Sequence, residues 1–91
     1  MDHAVEVTVE LYGIARLRAG KSEVTVHART AADMLAAVER VCPALAGLVQ
    51  SNGRLAPQYL LSVDGRVFES DMQRPLKDGE RLLLLGADAG G

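Results

Sequence analysis

Four consecutive leucines, Leu82 to Leu85, constrain this chain more than any other feature. They follow the turn residues Leu76-Lys77-Asp78-Gly79-Glu80 and predict a strand over 81–85 with apolar side chains on both faces. One face can lie under a helix; the other must be covered by the irregular segments or by a partner. Beyond Leu85 the side chains shrink, through Gly86, Ala87, Asp88 and Ala89, to Gly90 and Gly91. This pattern reads as a domain over 1–85 and a flexible tail over 86–91. Two closing glycines carry no Cβ, so such an end threads a narrow channel and offers its carbonyl to a nucleophile with little obstruction. Small residues also end many chains as a frayed fringe. Chance alone gives a closing glycine doublet in roughly one chain in 200, so its meaning depends on the domain that carries it.

That domain has ordinary proportions. With 91 residues, 48% hydrophobic and 24% charged, the chain supports one core and one domain. The net charge of −2, with both signs interspersed, argues against a nucleic-acid footprint or a polybasic membrane patch. No apolar run approaches the ~20 residues that span a bilayer. Met1-Asp2-His3 leads into a strand pattern without the features of a signal peptide, so a cytoplasmic protein is expected. The single cysteine, Cys42, excludes an internal disulfide and a thiolate metal cluster. Beside Pro43 in an apolar stretch, it reads as a small buried hydrophobe and not as a nucleophile. His3 and His27 lack a ligand motif, and no metal site is expected.

Residues 4–12 alternate, with Val5, Val7, Val9 and Leu11 on one face and Glu6, Thr8, Glu10 and Tyr12 on the other. Residues 22–28 alternate in the same way, and the two are expected to pair antiparallel. Between them, 14–21 reads as a connection that can carry one helical turn. Thr30 is an N-cap with Asp33 at capping-box spacing, and Met34, Leu35, Val38, Val41 and Cys42 form one apolar stripe that Pro43 terminates. Residues 44–57 are irregular, with turn chemistry at 51–54. Tyr59 to Val63 is a strand, and Asp64-Gly65 turns it back through Arg66-Val67-Phe68. Residues 69–75 read as a polar surface connection. The expected fold class is α+β: a mixed sheet of four to five strands with one main helix on one face and the first and last strands adjacent in the middle.

Several local patterns then fall into a known order. Val9-Glu-Leu-Tyr-Gly-Ile-Ala-Arg-Leu-Arg-Ala-Gly20 pairs a first strand with a loop of the form A-x-L-R-x-x-x-G, and Leu76-Lys-Asp-Gly-Glu80 has the form L-x-D-G-D/E. Pro43-Ala-Leu45 and Gly53-Arg-Leu-Ala-Pro57 lie between them, and Ala89-Gly90-Gly91 closes the chain. Taken together, the chain resembles the β-grasp, ubiquitin-like sulfur-carrier proteins, the family of the molybdopterin synthase small subunit and the thiamin-pathway sulfur carrier. It departs from the family where Leu84-Leu85-Gly86-Ala87 replaces the common aromatic-proline pair, which reads as a more flexible tail root.

The resemblance implies a mechanism. An E1-like enzyme uses ATP to adenylate the carboxylate of Gly91, because a carboxylate is a poor electrophile and an acyl-adenylate a good one. Sulfur from a donor displaces AMP, and the thiocarboxylate serves a large-subunit or other acceptor enzyme. The chain itself is then no enzyme and binds no cofactor; ATP belongs to the activating partner. Gly90 and Gly91 carry the chemistry, and Gly86, Ala87, Asp88 and Ala89 form the tether. By position, Tyr12, Arg16, Val67 and Leu85 match residues that dock the partner. Ordinary sheet packing, or for Arg16 a solvated surface charge, is the competing reading. Molybdopterin biosynthesis is the leading pathway, with thiamin, cysteine or another sulfur metabolite as alternatives. A ubiquitin-like modifier joined to lysines through Gly91, or an interaction module with an inert tail, remains open beside them.

Overall fold

Alternating sequence becomes a half-buried sheet. The computed structural model describes residues 3–63, 65 and 67–87. Strand β1 (Val5–Leu11) pairs antiparallel with β2 (Glu23–Ala28), from Val5 opposite Ala28 to Glu10 opposite Glu23. Strand β5 (Arg81–Gly86) lies parallel to β1 on its other side, with Thr8 opposite Arg81 and Leu11 opposite Leu84. Strand β3 (Tyr59–Val63) runs antiparallel to β5, and the two-residue β4 (Val67–Phe68) pairs with the end of β3. The order β2-β1-β5-β3-β4 is a mixed five-stranded sheet with the first and last long strands central, as the sequence predicts.

Helix α2 (Ala31–Val41) is the main helix. Its Thr30 hydroxyl accepts the Asp33 N–H at 3.2 Å, the expected cap. Met34, Leu35 and Val38 are fully buried in one cluster with Val7, Val9, Leu11, Val26, Leu82 and Leu84. Cys42 is buried and free. The connection at 69–75 does more than the sequence suggests. Met72 is buried, and the carbonyls of Met72 and Arg74 accept the N–H groups of Ala32 and Ala31 at 2.8 and 3.0 Å. These are first-turn donors that a helix cannot satisfy internally, so the loop caps α2 as the Thr30 side chain does.

The segment 14–21 is where expectation and structure part. Where one turn is expected, a second helix, α1 (Gly13–Ala19), runs for seven residues and starts at Gly13, the residue expected to end the first strand. Gly20 ends it at φ 70°, its N–H bonded to the Arg16 carbonyl at 2.9 Å, a left-handed closure that glycine adopts without steric cost. Only Ala15 of this helix is buried, and Leu17 is 77% exposed, so two turns offer no apolar stripe to read. α1 lies on the same side of the sheet as α2, against β5 and the 3-10 turn Pro43–Leu45.

Both helices therefore cover one face. The leucine run divides accordingly: Leu82 and Leu84 are fully buried beneath the helices, and Leu83 and Leu85 are half-buried on the other side. The expected cover on both faces is present on one.

Candidate docking face and tail root

Pairing register decides which side chains share the uncovered face, because residues directly opposite one another point the same way. One row runs Glu23, Glu10, Leu83, Ser62, Phe68 across all five strands. The next brings Leu85 beside Leu60. Tyr12 joins this face, since its hydroxyl donates to Glu10 Oε1 at 2.6 Å and its N–H to the Leu84 carbonyl at 2.9 Å. The result is an apolar surface of Leu60, Leu83, Leu85, Phe68 and Tyr12, with Phe68 59% and Tyr12 42% exposed.

A charged network borders it. Arg81 bonds Glu10 Oε2 at 2.9 Å and Glu23 Oε1 at 3.0 Å. The Tyr12 hydroxyl, and then Arg81, hold the Glu10 carboxyl below its ordinary range. The same bond to Glu10 raises the Tyr12 phenol, and Glu10 raises Arg81. Tyr12 is thus pinned by a carboxylate that stays ionised, which fixes an aromatic at the edge of the apolar surface.

The sequence-derived docking residues are placed unequally. Tyr12 and Leu85 come together on the open face. Arg16 is exposed on α1, lining a groove of about 470 Å³ with Gly13, Leu17, Gly20, Lys21 and Ser22. Val67, 64% exposed, does not join Leu85: it pairs with Val63, whose other neighbour is Leu82, and so points to the helix side. Phe68 is the β4 residue on Leu85's face. A one-residue shift reverses the face, and a two-residue strand gives the sequence too little alternation to choose. Leu60 and Leu83 lie on Leu85's face as well, and the alternation of Leu83 and Leu85 against Leu82 and Leu84 is the sequence signal for it.

The root of the tail is built into the domain. Gly86 is a strand residue paired with Tyr59, and the Ala87 N–H donates to the Gln58 carbonyl at 2.8 Å. Gly86 and Ala87, the first residues of the expected tail, are thus held by the β3 ladder. Asp88, Ala89, Gly90 and Gly91 lie outside the described residues. A Cβ on Gly86 would stand 2.8 Å from Ile14 Cγ2, so glycine here permits the close approach of α1, where the sequence reading saw only a flexible hinge. Farther along α1, Arg18 donates to the buried Tyr59 hydroxyl at 2.9 Å. Tyr12, Ile14 and Arg18 thus bind the helix across the ends of β5 and β3.

Among the described residues no group of His, Cys, Asp and Glu is arranged to hold a metal ion, and no helix is long and apolar enough to cross a membrane. No family model matches the sequence, and a search of curated proteins finds no match. Solved structures do match. SAMP1 from Haloferax volcanii superposes with a TM-score of 0.78 at 22% identity, over 94% of this chain and 99% of that one. Small archaeal modifier protein 1 from Methanosarcina acetivorans gives 0.78 at 23% identity, over 98% and 99%. A Pyrococcus furiosus protein assigned as molybdopterin converting factor, subunit 1, gives 0.69 at 21% identity, over 90% and 97%. At these identities the likeness establishes the fold: the chain is an α+β protein with the β-grasp architecture shared by small modifier and molybdopterin converting factor proteins.

Proposed function

We propose that the protein is a carrier whose terminal carboxylate, that of Gly91, is activated by a partner and loaded with sulfur. One observation carries this reading: the end of β5 is anchored beside an apolar sheet face that no helix covers. A partner seated on Tyr12, Leu60, Leu85 and Phe68 receives the following residues from a fixed point, so docking positions the reactive end. The domain supplies placement, and the partner supplies catalysis.

In the proposed cycle an E1-like enzyme joins the Gly91 carboxylate to the α-phosphorus of ATP and releases pyrophosphate. Sulfide from a donor attacks the carbonyl carbon; the bond to AMP breaks, and a thiocarboxylate remains. On the acceptor enzyme the thiocarboxylate sulfur bonds to an electrophilic carbon of that enzyme's substrate, and water cleaves the acyl–sulfur bond, which leaves the sulfur on the substrate and returns the Gly91 carboxylate. We place the protein in the cytoplasm and assign the acceptor as the large subunit of a molybdopterin synthase, with enzymes of thiamin, cysteine or other sulfur metabolism as alternative acceptors. Gly90 gives clearance in the activating channel, and Asp88 and Ala89 span the distance to it.

Two of the solved neighbours are modifiers by name, which favours a second reading in which a target lysine captures the acyl-adenylate and forms an isopeptide bond. Intact mass after incubation with ATP, a sulfur donor and the host's E1-like enzyme tests the first reading. Replacement of one terminal oxygen by sulfur, lost when Gly91 is deleted, supports the carrier. Lysine-linked adducts without thiocarboxylate support the modifier. An unchanged mass with every host activator refutes both.

A further inference from the structure

The outer edge of β3 is left partly unpaired, and a groove lies against it. β4 pairs only with Ser62 and Val63. The Glu69 N–H continues the ladder by one bond, to the Leu61 carbonyl at 2.8 Å, which fixes Leu61 as facing outward. An extended residue points its N–H and C=O to the same side, and its neighbours point theirs to the other. Tyr59 therefore also faces outward, and its N–H is taken by the Ala56 carbonyl at 3.0 Å. This leaves the Leu61 N–H and the Tyr59 C=O directed outward with no partner among the described residues. A donor and an acceptor flanking Leu60 are what one residue of an added parallel strand satisfies, its N–H donating to the Tyr59 carbonyl and its carbonyl accepting from the Leu61 N–H.

The side chains beside this pair define what fits. The groove holds about 400 Å³ and is lined by Leu55, Leu60 and Phe68, with Arg54 and Glu69 as its charges. Glu69 is already matched by Arg74, Nε to Oε1 at 3.3 Å. Among the described residues no carboxylate pairs with the Arg54 guanidinium, so the groove presents one uncompensated cation next to apolar surface.

We propose that this edge binds an extended segment of a partner protein by strand addition, with an apolar residue in the groove and a carboxylate on Arg54. Backbone bonds to Tyr59 and Leu61 give the segment its conformation; Leu55, Leu60 and Phe68 take its side chain, and Arg54 selects its charge. A second copy of this chain offering the same edge brings another Arg54 in place of the carboxylate, which disfavours self-pairing there. The surface adjoins the docking face through Leu60 and Phe68, yet its recognition chemistry differs and stands whether or not Gly91 is activated.

The test is selection of a phage-displayed random peptide library on the isotope-labelled full chain, followed by synthesis of the enriched peptides. The expected peptides place an acidic residue near an apolar one and slow exchange of the Leu61 amide about tenfold or more, the loss of an open N–H to a hydrogen bond. Arg54→Glu, at an exposed site, weakens them roughly fivefold, whereas Arg40→Glu on α2 leaves binding unchanged. Methylating the backbone nitrogen of the peptide residue opposite Leu60 abolishes it. Failure to enrich any peptide overturns the proposal. So does enrichment of peptides that leave Leu61 exchange unaltered, that lack acidic residues, or that perturb only Leu83 and Leu85. Self-association through this edge, seen by sedimentation and relieved by Phe68→Asp, overturns it in favour of a second copy.

Discussion

Gly86→Ala separates a packing glycine from a flexible one. The added methyl would sit 2.8 Å from Ile14 Cγ2 and 3.7 Å from its Cβ. Cγ2 is bonded directly to the branched Cβ, so it cannot swing aside as a long side-chain end does, and either the Ile14 rotamer or α1 itself has to move. Overpacking of this kind costs about 1–3 kcal/mol. Gly86 does not sit at positive φ, so alanine meets no backbone strain there and restricts the unfolded chain, recovering about 0.4–1 kcal/mol. The net expectation is a loss of about 1–1.5 kcal/mol, or roughly 4–12 °C in Tm for a domain this size. Urea and thermal unfolding of the single variant, Ile14→Ala and the double variant give the coupling. If the clash is the cause, Gly86→Ala costs much less in the Ile14→Ala background, because the obstructing Cγ2 is gone. A Gly86→Ala protein as stable as its parent, or a cost unchanged by Ile14→Ala, refutes the packing account and restores the flexible hinge.

Three further expectations follow from the same geometry. Leu35→Ala empties a fully buried site under the sheet and lowers stability by about 2–5 kcal/mol, read by denaturant unfolding with an unchanged slope. Phe68→Asp weakens capture of an activating enzyme about tenfold or more, whereas Val67→Asp, on the opposite side of β4, changes it little; equal effects in a binding titration contradict the face assignment. Arg74 hydrogen bonds hold Glu80 below its ordinary value of 4.5. A carboxyl with a depressed folded pKa contributes stability above its unfolded pKa and loses it as pH falls through the folded one. Glu80→Gln therefore flattens the acid limb of the stability profile below about pH 4.5, and an unchanged limb refutes the assignment.

What was legible in the sequence follows the length of each periodic signal. β1 and β2 carry three buried positions each in strict alternation, and the α2 stripe covers three turns between a Thr30 cap and Pro43. Those patterns set strand pairing, helix position and the central place of β5. The full length of α1 is not legible because a helix with one buried residue has no stripe, and its contacts to β5 lie far away in sequence. The face of Val67 was hidden because two residues do not define an alternation, and only pairing with Ser62 and Val63 assigns them. Gly86 shows the deeper limit. The sequence supports both readings of a glycine after four leucines, since freedom of φ and absence of a Cβ come in the same residue. Which one matters depends on what stands opposite, and Ile14 belongs to a helix whose full length local pattern did not reveal. The two are linked: without the full length of α1 in view, nothing stands opposite Gly86, and a packed residue looks like a hinge.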